Sequence, residues 1–181
     1  MKIKLLSCTC AAAMLLYAPV SMGGEPVIFV DFENGSWRGW EVDGKAFGEA
    51  PAIGSKDPRT EFPGSRRLEG WSGEAFASSW NASRGDGATG RLISPEFKIE
   101  KPLIAFLIAG GRHEGLQCIN LMVDDKVART ATGENSDIMT ESSWDVSDLK
   151  GKTARIEVVD EPVEGNSWAH IGIDRIEFRD K

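Results

Sequence analysis

Short segments in which apolar and polar residues alternate recur along most of the chain, and they constrain its fold more than any other feature. Ile156 and Val158 alternate with Arg155 and Glu157, and residues 171–178 follow a similar pattern. Successive side chains of a β-strand point to opposite faces of the sheet. Each of these segments therefore predicts a strand with one face toward a core and the other toward water.

Ten segments have strand character, and Gly, Asp, Asn or Pro residues separate them. The predicted strands are 27–32, 39–42, 75–80, 92–99, 103–109, 118–123, 127–131, 142–146, 154–159 and 169–178. We find no segment with the 3.6-residue period of an amphipathic helix. Ten short strands separated by turn residues predict an all-β fold, an antiparallel β-sandwich or jelly roll.

Two segments depart from alternation. Residues 103–109 are apolar throughout, which predicts a central strand covered on both faces. Residues 49–68 contain three prolines and two glycines but few apolar residues, which predicts a long surface loop of the kind that often carries function. No linker or internal repeat divides the chain, so we predict one domain.

The first 24 residues have the pattern of a secretory signal peptide. Lys2 and Lys4 precede or border an apolar segment at 5–20, and small residues at 21–24 suit cleavage. The apolar segment is shorter than the roughly 20 residues that a transmembrane helix needs. We therefore predict a secreted or periplasmic protein without a membrane span, whose single β-sandwich domain comprises residues 25–181.

Removal of this segment would leave an acidic domain with one cysteine. Lys2 and Lys4 are two of the 21 basic residues, and all 28 acidic residues lie beyond residue 24, so the net charge of −7 becomes −9. Such a charge disfavours nucleic acid and anionic membranes as partners. Cys118 lies in a predicted strand, which favours a buried free thiol, with a catalytic nucleophile as the alternative.

The tryptophans are the first candidates for ligand contacts. They are Trp37, Trp40, Trp71, Trp80, Trp144 and Trp168. Flat aromatic rings stack on the C–H faces of sugars, but β-sandwich cores also contain many tryptophans. Trp71 and Trp168 are flanked by loop residues, so we predict that these two are exposed and supply a stacking face, with core or turn packing as the alternative for each.

The segment 110–115, Gly-Gly-Arg-His-Glu-Gly, connects two predicted strands. It presents Arg112, His113 and Glu114 together, and such groups form directional hydrogen bonds with sugar hydroxyls. We predict that these three side chains bind a ligand; the alternative is a solvated hairpin tip. A metal site at His113 and Glu114 is less favoured, because the chain has no His-Glu-x-x-His motif.

Acidic residues near the two ends of the domain suggest a metal site. Glu33 follows the first predicted strand and Asp174 lies in the last, and the first and last strands of jelly rolls commonly pair. Two carboxylates with turn carbonyls can bind Ca²⁺, which takes six to eight oxygen ligands. We predict a structural calcium ion at Glu33 and Asp174; the alternative is a pair of ordinary acids at strand ends.

Catalytic motifs are absent from the sequence. There is no Gly-x-Ser-x-Gly motif, phosphate-binding loop or dinucleotide fingerprint. A chain with 28 carboxylates offers many acid pairs, so their spacing alone does not identify a glycosidase. Asn81-Ala82-Ser83 matches a glycosylation sequon.

Several motifs together resemble a known family. They are DFENG at 31–35, GW at 39–40, GRLISPEF at 90–97, GG at 110–111 with Gly115, CINLMVD at 118–124, VARTATG at 127–133, WDVS at 144–147, GKTARI at 151–156 and WAHI at 168–171. As a set they resemble the β-sandwich accessory domain of bacterial levanases and inulinases of glycoside hydrolase family 32. More broadly, they are similar to galactose-binding-like jelly rolls. The resemblance spans residues 27–179.

The catalytic motifs of that family are missing. Its propeller domain uses Trp-Met-Asn-Asp-Pro, Arg-Asp-Pro and Glu-Cys motifs, and none of them occurs here. The resemblance therefore implies the accessory fold and a carbohydrate setting without hydrolase activity.

These observations favour a carbohydrate-binding module that acts alone or with a separate glycoside hydrolase, on a polysaccharide or oligosaccharide such as fructan. A structural or protein-interaction module of the cell envelope is the alternative, and an apolar surface patch would favour it. A small hydrolase is the third hypothesis, and a pocket with convergent carboxylates would favour it.

Overall fold

The computed structural model describes residues 24–56, 67–80, 87–165 and 168–181. The predicted signal peptide up to residue 23, the sequon at 81–83 and residues 57–66 of the predicted loop lie outside the described residues. Within the described ranges, no helix has the length and apolar character needed to cross a membrane.

The described residues form twelve strands and two short 3-10 turns, Gly54–Lys56 and Ser147–Leu149. The strands are β1 Val27–Val30, β2 Glu41–Gly44, β3 Ala52–Ile53, β4 Ala75–Ser78, β5 Gly90–Ile93, β6 Phe97–Lys98, β7 Leu103–Gly110, β8 Gln117–Val123, β9 Lys126–Ala131, β10 Ser136–Asp145, β11 Thr153–Asp160 and β12 Ile171–Arg179. The predicted all-β antiparallel sandwich is confirmed.

Two antiparallel sheets of six strands make up the sandwich. The first sheet has the order β10-β7-β12-β4-β3, and β1 also pairs with β12. The second has the order β2-β5-β11-β8-β9, and β6 also pairs with β11. Val27 pairs with Phe178, so the first and last strands lie side by side, as the jelly-roll comparison predicted.

Each of the ten predicted strands overlaps an observed one, and two details differ. The predicted strand 92–99 is interrupted at Ser94 and Pro95, because Pro95 has no N–H to donate to a ladder. The Ser94 hydroxyl instead accepts a hydrogen bond from the Ile156 N–H at 2.8 Å. The two-residue strand Ala52–Ile53 lies inside the predicted loop, and a pair so short has no periodicity to detect.

The main core lies between the sheets. Phe106 contacts Trp144 with ring centroids 4.6 Å apart, and Phe29, Phe97 and Phe178 form an aromatic cluster with centroids 4.9–5.2 Å apart. These rings bury large apolar surfaces and give a domain without a disulfide its stability.

Cys118 is fully buried in β8, which confirms the predicted free thiol. Burial raises the pKa of this thiol above its usual value. A raised pKa suppresses the thiolate that a nucleophile needs, so the alternative of a catalytic cysteine is disfavoured.

A second, smaller core lies on the outer face of the first sheet. It consists of Leu68, Phe76, Ala109 and Met139, with Ala52, Trp71 and Leu107 packed against it. Residues 67–74, which we call the covering segment, supply Leu68 and Trp71. The central strand β7 therefore contributes apolar side chains to both cores, which explains why residues 103–109 are apolar throughout.

Candidate functional site

A cleft of about 560 Å³ opens at one end of the first sheet. Strand β7 ends there at Gly110, whose partners Ser136 and Ile171 begin β10 and β12. The residues that line the cleft are Arg67, Glu69, Asn135, Ser136, Asp137, Ile138 and Trp168. One indole and several hydrogen-bonding groups thus face the same space.

Close backbone packing fixes this end of the sheet. A Cβ atom on Gly110 would lie 2.2 Å from the carbonyl oxygen of His170, and one on Gly133 would lie 2.4 Å from the carbonyl oxygen of Gly110. The backbone φ angles of Asn135 and Trp168 are positive, at 53° and 58°. Such angles are uncommon outside glycine and are frequent at functional sites.

The covering segment forms a second wall of the cleft. The Glu69 N–H donates to the Asp137 carbonyl at 2.8 Å, and the Met139 N–H donates to the Glu69 carbonyl at 2.7 Å. Because these two bonds attach Glu69 to the start of β10, the side chains of Arg67 and Glu69 lie beside those of Asp137 and Ile138 at the cleft.

Asp137 and Trp168 are both linked to His170, behind the cleft. The His170 Nε2 lies 3.1 Å from the Asp137 Oδ1, and the His170 imidazole lies 5.9 Å from the Trp168 indole, measured between centroids. His170 is 7% exposed. A buried polar group therefore supports two of the residues that face the cleft.

The structure places the predicted ligand residues at different distances from this cleft. Trp168 is half-buried and lines it. The Arg112 N–H donates to the Asn135 Oδ1 at 2.9 Å, and the Arg112 guanidinium pairs with Glu134 at 3.3 Å, so Arg112 borders the cleft. His113 and Glu114 follow in the same connection and are not among its lining residues.

Trp71, the second predicted stacking residue, lies in the smaller core. It is half-buried and stacks on Phe76 with centroids 4.9 Å apart and an interplanar angle of 29°. A Cβ atom on Gly54 would lie 2.2 Å from the Trp71 ring, so the backbone packs closely on the indole. This packing supports the structural alternative for Trp71.

Sequence analysis missed most of the polar residues of the cleft. Three of them, Asn135, Ser136 and Asp137, lie between the predicted strands 127–131 and 142–146. From the sequence alone, this position indicates an ordinary loop. The strand β10 begins at Ser136, six residues earlier than predicted. Arg67 and Glu69 reach the cleft through tertiary contacts that no local pattern indicates.

The predicted metal residues Glu33 and Asp174 are brought to the same loop. The Glu33 Oε1 accepts hydrogen bonds from the N–H groups of Glu74 and Ala75, both at 2.9 Å. The Asp174 Oδ2 accepts one from the Ser72 N–H at 2.7 Å. These carboxylates anchor the end of the covering segment that is remote from the cleft.

Asp174 is fully buried, with a second hydrogen bond from the Arg175 N–H at 2.7 Å. Burial is the main factor that raises its pKa, the two backbone hydrogen bonds lower it, and the negative charges of Glu33 and Asp31 raise it again. The resulting pKa is about 7. In the part of the chain described, neither Glu33 nor Asp174 forms an ion pair with lysine or arginine.

The raised pKa of Asp174 makes the free energy of unfolding of the metal-free protein depend on pH. In the unfolded chain the carboxyl ionises near its ordinary value of 3.8, whereas the folded protein retains the proton up to about pH 7. The Asp174 contribution to the free energy of unfolding therefore falls as the pH rises from about 4 to about 7 and is constant above that.

We expect the melting temperature in chelator to decrease more between pH 5 and pH 8 in the wild type than in Asp174→Asn, whose amide does not ionise. Thermal scans of both proteins at each pH measure the difference. Equal slopes for the two proteins would contradict the assignment of a raised pKa to Asp174.

Comparisons with known proteins find a distant sequence relative and solved structures with a similar fold. No family model matches the chain. It is 34% identical over 155 residues to ecdE of Aspergillus rugulosus, a protein named as a glycosyl hydrolase, and the match covers 84% of this chain but 21% of the relative. The chain thus spans about a fifth of that curated protein's length.

Among solved structures, the K2 cleaved adhesin domain of Lys-gingipain matches with a TM-score of 0.53 and 15% identity, over 85% of this chain and 99% of that domain. This similarity shows the β-sandwich fold. A family 29 carbohydrate-binding module has a TM-score of 0.43 and 12% identity, over 87% of this chain and 93% of that one.

Proposed function

We propose that this chain is a secreted, non-catalytic carbohydrate-binding domain and that the cleft beside Trp168 is its binding site. One observation carries the proposal: an indole and a set of hydrogen-bonding side chains face one cleft at the end of a rigid sandwich. Ligand sites of this kind combine an apolar surface with a few polar groups that fix orientation.

The groups in the cleft match the chemistry of a sugar. A sugar ring has a C–H surface that packs on an aromatic ring, and its hydroxyls need directional partners. Trp168 supplies the ring, the carboxylates of Glu69 and Asp137 accept hydrogen bonds, and the guanidinium of Arg67 donates them. The amide of Asn135 and the hydroxyl of Ser136 can complete the contacts.

The proposed setting is polysaccharide degradation, with fructan as a candidate ligand and a separate glycoside hydrolase as a candidate partner. The resemblance of the sequence motifs to levanase and inulinase accessory domains supports fructan. The relative named as a glycosyl hydrolase supports a carbohydrate context more generally. The N-terminal pattern of residues 1–24 supports export.

A glycan array probed with residues 25–181 tests this proposal. Fructan, mannan, galactan, xylan and cellulose oligosaccharides should be included, and we expect saturable binding of at least one of them. Absence of binding to the whole array, with protein shown to be folded by its melting transition, would refute the proposal.

Glycoside hydrolysis is the second candidate function, because Glu69 and Asp137 place two carboxylates at one cleft. Incubation with levan, inulin and sucrose distinguishes it from binding alone. The binding proposal expects no released fructose. Turnover that survives repurification and disappears in Glu69→Gln would instead establish a hydrolase.

We also propose a structural calcium ion at Glu33 and Asp174. Two carboxylates meet at one loop, and backbone N–H groups are their partners in the described structure. No group of three or more His, Cys, Asp or Glu residues in the described ranges could hold a metal ion. Carbonyl oxygens of the adjacent turns would therefore have to complete the ligand set that Ca²⁺ requires.

Calcium is expected to raise the melting temperature, because an ion that binds only the folded protein stabilises it. At about 100 times the dissociation constant, the gain in unfolding free energy is about 2.7 kcal/mol. Melting curves with calcium, with chelator and with magnesium measure it, and Glu33→Gln should abolish the calcium effect. Identical curves in calcium and in chelator would reject the site.

A further inference from the structure

A histidine that does not line the cleft lies directly behind the proposed binding site. His170 is the residue before β12, and its side chain is 8% exposed. It was not predicted as a ligand residue, and it is not among the residues that line the cleft. Its contacts nevertheless reach the start of β10, the segment of Trp168 and the connection that follows β7.

Among the contacts of His170 in the described residues, three bear on the cleft. The His170 Nε2 lies 3.1 Å from the Asp137 Oδ1 at the start of β10. Its ring lies next to the Trp168 indole, with centroids 5.9 Å apart and planes inclined by 37°. Its carbonyl oxygen accepts a hydrogen bond from the Gly111 N–H at 2.9 Å, which ties it to the connection that carries Arg112.

We propose that His170 is the positioning residue of this cleft, which holds the Asp137 carboxylate and the Trp168 indole in the orientation that a sugar ring requires. The inference rests on the proposed function, since it concerns the same site. Trp168 has a positive φ angle of 58°, and its half-buried indole has the His170 imidazole as a ring neighbour. The same imidazole contacts Asp137, so one buried side chain touches both groups.

Preorganisation is the physical basis of the effect. A carboxylate that rotates freely and an indole that samples several rotamers lose entropy when a ligand fixes them, and this loss weakens binding. A nitrogen donor held next to a carboxylate oxygen forms a strong hydrogen bond. Because the His170 side chain is buried and its backbone is held by the Gly111 hydrogen bond, the imidazole can restrain both groups before the ligand arrives.

Two substitutions separate hydrogen bonding from packing. His170→Phe fills a similar volume beneath Trp168 but cannot donate to Asp137, whereas His170→Gln retains an N–H donor. We expect His170→Phe to weaken oligosaccharide binding about tenfold and His170→Gln to remain within about threefold of the wild type. Calorimetric titration with each oligosaccharide of the array panel measures these affinities.

A spectroscopic readout reports positioning without a ligand. The emission of Trp168 is obtained as the difference between each protein and the same protein carrying Trp168→Phe. In His170→Ala, which removes the supporting ring, we expect this emission to shift to longer wavelength and its anisotropy to fall, because the indole becomes more exposed and mobile. His170→Phe should preserve both.

The outcomes distinguish this inference from the proposed function. If the wild type binds an oligosaccharide and His170→Phe binds it equally well, the inference is overturned and the proposed function stands. If the wild type binds none of the panel, the proposed function fails, and unchanged Trp168 emission in His170→Ala would overturn the positioning role as well. Should His170→Phe not fold, His170→Asn replaces it, since its shorter amide cannot reach the position of Nε2.

Discussion

Gly110→Ala is expected to lower the free energy of unfolding by about 4 kcal/mol, which is much of the 5–15 kcal/mol that stabilises a typical domain. Gly110 has a φ angle of +105°, where a side chain is strained. The new Cβ would also lie 2.2 Å from the His170 carbonyl oxygen. That oxygen is fixed by its hydrogen bond from Gly111, so the backbone cannot shift without breaking the bond.

Gly115→Ala is the matched control, because Gly115 lies in the connection between β7 and β8, which begins directly after Gly110. Its φ angle is +80°, but a Cβ there would meet no atom within 4 Å. The substitution therefore carries the backbone strain alone, about 1 kcal/mol. Chemical denaturation of the two variants and the wild type gives the difference. Similar losses for both variants would show that the contact with His170 is not tight.

The strands were predictable because each one carries its signal in its own sequence. Alternation across β11 and β12 identified the inward residues Ile156, Val158, Ile171 and Ile173, all of which are fully buried. The apolar run of β7 indicated two covered faces, and the structure shows a core on each side. What alternation could not show is which segment covers the outer face.

The site was less predictable, because its residues come together only through tertiary contacts. Trp168 was predicted as a ligand residue from its loop-like flanks, and the structure places it at the cleft. Glu33 and Asp174 were predicted as a metal site from the expected pairing of the terminal strands, and the structure brings both to one loop. Glu69 and Asp137 were not predicted, since they are 68 positions apart and meet through the backbone bonds between the covering segment and β10. A single sequence contains no signal for such a contact.

The exposed apolar side chains bear on the alternative of a protein-interaction module. The large ones in the described residues are Val27, Ile28, Leu116, Val127 and Ile138. Val27 and Ile28 belong to β1, Leu116 to the connection between β7 and β8, Val127 to β9 and Ile138 to β10. They are therefore distributed over separate elements rather than one strand or loop. Scattered apolar residues are normal on a protein surface and do not by themselves indicate a partner.

Trp168→Ala is expected to weaken oligosaccharide binding about tenfold while leaving the melting temperature nearly unchanged. An aromatic contact contributes about 0.5–1.5 kcal/mol beyond the area it buries, and a factor of ten in affinity corresponds to about 1.4 kcal/mol. Trp168 faces the cleft and is outside both apolar cores, so its loss should affect the ligand more than the fold.

Trp71→Ala should show the opposite result. Trp71 stacks on Phe76 and contacts the backbone at Gly54, so its removal leaves a cavity in the smaller core. Replacing a fully buried tryptophan by alanine costs about 3–5 kcal/mol, and for a half-buried one we expect about 2–3 kcal/mol. At about 2–4 °C per kcal/mol for a domain of this size, the melting temperature should fall by about 5–10 °C.

The pair of variants is decisive because each is the control for the other. Binding of the folded fraction and the melting temperature are measured on both proteins, with the same oligosaccharide panel. If Trp168→Ala lost stability but kept its affinity, the indole would be a closing element of the sandwich and the cleft would lose its stacking surface. If Trp71→Ala lost affinity while remaining stable, the binding face would lie over the covering segment, on the outer face of the first sheet, where Trp71 rather than Trp168 would contact the sugar.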